Sequence, residues 1–295
     1  MHPQALGNKS TILTKCYLFD LLNAMPAESL VNYLSLRQFP GGTGWITRLE
    51  KAAESYCKAQ TVIGPAELDA ARKYLKGEIL EDPPLAGAEW AMLVQPFEDV
   101  RMLFMYTQDD EFGSRLQFYV HQSARGEVPT EDLAFLLDFY LQILGQQEIF
   151  ATLLTEPHQE FIPINHFPRL EIPFEDIQRI LYALDHLSLE LNSKVKLARA
   201  AEFARAALLD ELCDNGVYKT LLAQPAANIA LRFQFPTDNQ CPFQVSASDT
   251  LAYLPSNLAL YLVSAYANAF ARGIGSMFRV NFNGLCHYFH VAKFE

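Results

Sequence analysis

Two stretches of this chain carry the same parts in the same order. In the first, Trp90 to Gln95 and Val100 to Thr107 are strand-like runs, Asp109-Asp110-Glu111 marks a turn, and Arg115 to His121 is a further strand. Leu116, Phe118 and Val120 alternate there with Arg115, Gln117, Tyr119 and His121, which predicts one buried face. Gly126 and Pro129 lead into a long apolar helix from about Thr130 to at least Leu144. In the second stretch, Ile229 to Phe235 reads as a strand, Thr237-Asp238-Asn239 as a turn and Phe243 to Ser248 as a strand. Leu254-Pro255-Ser256-Asn257 then opens an apolar helix to about Arg272. Both helices begin with Pro followed by Thr or Ser (Pro129-Thr130-Glu131-Asp132-Leu133-Ala134 against Pro255-Ser256-Asn257-Leu258-Ala259). Such an internal duplication predicts an α+β fold of antiparallel β-hairpins packed with helices, built from a repeated strand–turn–strand–helix unit.

The flanking segments fit that frame. Residues 11–25 have helical spacing, closed by Pro26, and 31–36 read as a short strand. A helix is expected from about Trp45 to Lys58, capped by Thr43 or Gly44. Another begins at Pro65 and stops at Gly77. Residues 155–173 hold Pro157, Pro163, Pro168 and Pro173 beside Phe161, Ile162 and Phe167, which predicts a linker packed onto the body. Two helices are expected at 174–191 and 193–213, the second capped by Ser193. Asn283-Gly284 between two β-rich runs predicts a terminal hairpin. The expected organisation is a first unit at 1–154, the linker at 155–173, and a diverged second unit at 174–295.

Composition excludes some roles. Half of the 295 residues are hydrophobic, 19% are charged and 12% are aromatic, a globular balance. The formal net charge of −11 repels phosphate backbones, so nucleic acid is not an expected partner. The apolar runs 132–144 and 258–270 are too short for a membrane span and read as buried helices. Cys16, Cys57, Cys213, Cys241 and Cys286 are scattered, which points to reduced thiols in a cytoplasm. The N-terminal residues lack the basic and apolar regions of a signal peptide.

Candidate chemistry is sparse. In a strand, His287 and His290 point to opposite faces, and Cys286 and His290 lie ~13 Å apart, so this run does not predict a metal site. Glu131 and Asp132 sit in a first helical turn, where the dipole favours acids. The Gly41-Gly42-Thr43-Gly44 loop before a helix, with Arg37 nearby, has the backbone freedom of an anion site, and equally of a structural turn. It lacks the Gly-Lys-Ser/Thr ending of a P-loop. Asp109, Asp110 and Glu111 form a polar tip, and three adjacent turn residues cannot all aim at one ion. The candidate ligand-binding residues are therefore Arg37, Gly41, Gly42, Thr43, Asp109, Asp110 and Glu111. No motif names a cofactor or a catalytic group.

Three ordered matches carry a resemblance: Tyr33-Leu34-Ser35-Leu36-Arg37-Gln38-Phe39-Pro40-Gly41-Gly42, the run around Asp109-Asp110-Glu111-Phe112, and Pro129-Thr130-Glu131-Asp132-Leu133-Ala134. On these, residues 11–145 resemble an uncharacterised prokaryotic family, a domain of unknown function. Some of its members carry a four-cysteine iron–sulfur segment, so the resemblance implies a setting in redox or corrinoid metabolism. This chain has no clustered cysteines, and no cluster is carried over. The expected function is a non-catalytic binding or accessory protein for a small cofactor or a partner protein, with its site in the groove between the two units. An enzyme acting on a small anionic metabolite is the competing expectation, and requires Arg37, the Gly41-Gly42 loop and Asp109 to Glu111 to converge. A structural subunit of a complex is the third.

Overall fold

A computed structural model describes residues 30–59, 65–109, 113–145, 160–168, 170, 174–213, 216–236, 243–254 and 257–280. The first unit runs β1 (Tyr33–Leu34), α1 (Thr43–Ala59), α2 (Pro65–Leu75), β2 (Glu78–Ile79), β3 (Ala88–Phe97), β4 (Val100–Asp109), β5 (Gly113–His121) and α3 (Thr130–Gly145). The second runs β6 (Phe161–Pro163), α4 (Phe174–Glu190), α5 (Lys194–Phe203), β7 (Ala207–Cys213), β8 (Gly216–Ala226), β9 (Ile229–Pro236), β10 (Gln244–Ser248) and α6 (Leu258–Gly273). Each forms an antiparallel five-stranded sheet, ordered β1-β5-β4-β3-β2 and β6-β10-β9-β8-β7. Among the described residues, each strand and α-helix of the first unit therefore has a counterpart at the same place in the second, so the edge strands and helix pairs belong to the repeat, which the sequence pattern limits to the strand–turn–strand–helix part.

Small features repeat with it. Each edge strand leads to a 3₁₀ turn, Leu36–Gln38 or Ile164–His166, then to Phe-Pro, as Phe39-Pro40 or Phe167-Pro168. The β3–β4 register shifts between Val94 and Phe97, and the β8–β9 register between Ala223 and Ala226. Gln95-Pro96 and Gln224-Pro225 fill these two irregularities. A proline, with no N–H for the ladder, is tolerated at such a bulge.

The units grip each other through these bulges, and the grip is reciprocal. The Glu98 N–H donates to Phe203 O at 2.9 Å, and the Ala227 N–H donates to Tyr74 O at 2.7 Å. Lys76 Nζ donates to the carbonyl and side-chain oxygens of Gln224 at 3.1 and 3.2 Å. Arg205 donates to the same two oxygens of Gln95 at 3.3 and 2.9 Å. Tyr140 of α3 reaches Pro225 O at 3.5 Å, while Tyr266 of α6 sits edge-on to Phe97 with centroids 4.9 Å apart. Contacts that recur with the partners exchanged are the mark of a two-fold interface, here within one chain.

α3 and α6 lie at the centre, against each other. Leu133 through Leu141 on α3 and Leu258 through Leu260 with Leu262 through Ala271 on α6 are all buried. Helices apolar on every side belong in a core, as expected for 132–144 and 258–270. Among the described residues, no helix is long and apolar enough to cross a membrane.

Some boundaries differ from the sequence expectation. The 31–36 strand shrinks to Tyr33–Leu34 between two 3₁₀ turns. The helix expected at 193–213 ends at Phe203, because Arg205 takes a positive φ of 51° and Ala207–Cys213 pairs with β8. Pairing with a neighbouring strand outweighs helical propensity there. Part of the Pro-rich stretch, Phe161–Pro163, is the edge strand β6 and pairs with β10. Of the expected terminal hairpin, Met277–Val280 carries no strand, and the remainder, with Cys286, His287 and His290, lies outside the described residues.

Candidate functional site

The candidate site begins with a tightly folded loop. Ser35 caps the 3₁₀ turn, its side chain accepting from the Arg37 N–H at 3.4 Å, while its own N–H donates to Gln38 Oε1 at 3.0 Å. The Gly42 N–H then donates to Phe39 O at 3.0 Å. A Cβ on Gly42 would lie 1.8 Å from Leu36 O, so no other residue fits without moving the backbone. Gly41 has a φ of +75°, a left-handed conformation that glycine adopts freely. α1 starts immediately afterwards and presents Trp45.

A second wall comes from the turn after β5. His121 caps it, Nδ1 accepting from the Ser123 N–H at 3.2 Å. The chain passes Gly126, with φ +86°, and enters α3, whose Leu133 N–H donates to Pro129 O at 3.2 Å. Between these walls lies a pocket of about 490 Å³ lined by Pro40, Gly41, Trp45, Gly126 through Glu131, and Arg279. Its volume is in the range of small-molecule sites.

Arg279 comes from the second unit. After α6, Asn268 clamps the chain at Val280: the Val280 N–H donates to Asn268 Oδ1 at 2.6 Å, and Asn268 Nδ2 donates to Val280 O at 3.0 Å. The same Nδ2 donates to both oxygens of Asp132 at 3.0 and 3.1 Å. The residue before Val280 is thereby held at the pocket wall. Arg279 Nη1 donates to Phe278 O at 2.8 Å, and among the described residues no carboxylate lies within ion-pair distance of its guanidinium. Burial, with Arg272 close by, pulls its pKa below the ordinary arginine value.

Behind the pocket is a buried charge cluster. Arg272 donates from Nε and Nη2 to the Asp99 carboxylate at 2.8 and 3.3 Å, with its guanidinium over the rings of Phe97 and Phe203. Its Nη1 lies 3.7 Å from Asp132 Oδ2 and makes no hydrogen bond. Asp132 is 1% exposed, and burial pushes its carboxyl up to about 7, against the opposing pull of Arg272 and Asn268. The helix dipole is thus not the main influence on Asp132; desolvation is.

The sequence candidates are dispersed. Gly41 lines the pocket; Gly42 and Thr43 shape the loop behind it. Arg37 instead forms an exposed pair with Glu50, Nη2 lying 2.7 and 3.0 Å from its two oxygens. Asp109 pairs with Gly113 at one end of β5, whereas Tyr33 pairs with His121 at the other. At ~3.4 Å per residue those ends lie roughly 30 Å apart, so Asp109 stands at the far end of β5 from the strand that leads into the glycine loop. Asp110 and Glu111 lie outside the described residues. Among the described residues, no group of three or more His, Cys, Asp or Glu side chains is placed to hold a metal ion. Sequence reasoning missed Glu127, Asn268, Arg272 and Arg279. The first is an exposed turn residue, and the others acquire their roles only when the two units meet.

Residues 8–142 match the family model of a domain of unknown function, DUF3786. That stretch supplies the loop and the start of α3 but not Arg279. No curated protein and no solved structure matches the chain.

Proposed function

We propose that the protein is a non-catalytic binding protein that holds one small, anion-bearing molecule per chain in the pocket beside Arg279. The observation that carries this reading is the Arg279 guanidinium itself. It is partly buried, fixed by the Asn268 clamp on its neighbour, and has no carboxylate partner among the described residues. A half-buried guanidinium whose neighbouring carboxylates, Glu127, Asp132 and Asp99, all stand beyond ion-pair distance keeps donors to spare, and a ligand carboxylate or phosphate would supply charge-assisted hydrogen bonds. The start of α3, which lines the pocket through Thr130 and Glu131, adds its helix dipole to the same field. The two walls and the cation come from different units, which supports a single shared site.

An enzymatic reading gains one observation, the near-neutral carboxyl of Asp132. That side chain is buried and does not line the pocket, so it does not favour chemistry on a ligand held there. The test is a thermal-shift and calorimetric series with acetate, longer monocarboxylates, sulfate and phosphate. At least one should bind the native chain, and Arg279→Gln should weaken it ~10-fold or more without unfolding the protein. Equal binding to both proteins, or none to either, would refute the proposal.

A further inference from the structure

The charges around the pocket say more about the ligand than that it is anionic. Arg279 is accompanied in the lining by two carboxylates, Glu127 and Glu131. Glu127 is exposed, and near enough to Arg279 to act on it electrostatically, yet it forms no ion pair with it. A phosphate or other dianion would face repulsion from both acids. A simple cation would face Arg279. A neutral molecule would leave the guanidinium unsatisfied. Of the rest of the lining, Pro40, Trp45, Val128 and Pro129 are apolar or aromatic while Thr130 is polar, and the ring of Trp45 is a surface on which a cationic nitrogen is also favourable.

We infer that the ligand is a zwitterion of amino-acid size, with its carboxylate on Arg279, its ammonium group facing Glu127, and an apolar side chain against the Trp45 wall. The inference rests on the binding function proposed above and sharpens it. One pocket then satisfies both signs of charge, and discrimination against plain acids and plain amines comes from the group each leaves unpaired.

The experiment titrates the full chain, by calorimetry, with probes that share a skeleton and differ by one charge. L-Leucine is compared with 4-methylpentanoate and 3-methylbutylamine, and L-phenylalanine with 3-phenylpropanoate and 2-phenylethylamine; phosphate is the dianion. An amino acid should bind ~10-fold or more tightly than its deaminated partner, a gap typical of one lost charge-assisted contact. Glu127→Gln should close that gap while leaving the monocarboxylate affinity in place, and Arg279→Gln should remove both. Monocarboxylate or phosphate binding as tight as amino-acid binding overturns the zwitterion and leaves the anion site standing. An amino-acid preference that survives Glu127→Gln overturns the place given to the ammonium group. If no probe binds the native chain better than Arg279→Gln, the zwitterion and the anion site both fall.

Discussion

Lys76 and Arg205 make the same contact from opposite halves of the chain. Each ends a helix with a positive φ, 54° and 51°, and each reaches the carbonyl and side-chain oxygens of the other unit's bulge glutamine. The pairing predicts matched energetics. In double-mutant cycles followed by chemical denaturation, Lys76→Ala with Gln224→Ala and Arg205→Ala with Gln95→Ala should each show a coupling of about 1 kcal/mol. The crossed pair, Lys76 with Gln95, should show none beyond ~0.5 kcal/mol.

The two loop glycines should behave differently. Gly42→Ala drives a methyl group into Leu36 O, which is backbone and cannot swing aside. Gly41→Ala meets nothing and carries only the left-handed strain of about 1–2 kcal/mol. Thermal melts should place Gly42→Ala clearly below Gly41→Ala, with a loss of ~3 kcal/mol or more.

Asp132 sets a pH dependence of defined sign. Its folded pKa, about 7, lies above the usual carboxyl value of 3.8, so the folded state holds this proton more tightly than the unfolded chain. The resulting stability is present at low pH and is lost as pH rises from ~4 to ~7, by roughly 1.4 kcal/mol per pH unit at the steepest. The groups acting on it are Arg272, Asn268, Glu131 and Arg279. Asp132→Asn should flatten this part of the stability profile and stabilise the protein at pH 8 relative to pH 5. An unchanged slope in denaturation curves at the two pH values would contradict the assignment.

Arg272 joins the units through Asp99 and through its place between Phe97 and Phe203. Its side chain is 7% exposed. Replacing it with Met keeps much of the volume and leaves the Asp99 carboxylate without its cation. The expected loss is about 3–5 kcal/mol, the cost of orphaning a largely buried charge, measured by urea denaturation. Asp99→Asn keeps an acceptor for Arg272 but removes the counter-charge of that buried guanidinium, so its cost should be of the same order.

Much of the fold was legible where the pattern is local. The alternation of Leu116, Phe118 and Val120 marks β5, and the apolar runs that became α3 and α6 showed themselves as buried helices. The repeated Gln-Pro and Phe-Pro pairs could have extended the duplication to whole units, but two-residue matches stand out only once the registers align them. Ala207–Cys213 was hidden because its Leu and acidic residues suit a helix as well as a strand. The site was less legible still. A glycine loop before a helix announces Gly41 and Gly42, but nothing local distinguishes Arg279 from any arginine in an aromatic run. Its role depends on Asn268, a turn of chain away, and on loops from the other unit. Arg37 shows the converse: its position suggested a ligand, and Glu50 on the adjoining helix takes its charge.

The most direct measurement is native mass spectrometry of the protein purified from its own host, beside Arg279→Gln prepared the same way. The account predicts one small molecule per native chain, absent from the variant. Two molecules per chain, equal occupancy in the variant, or a bare mass for both would contradict a single ligand site shared between the units.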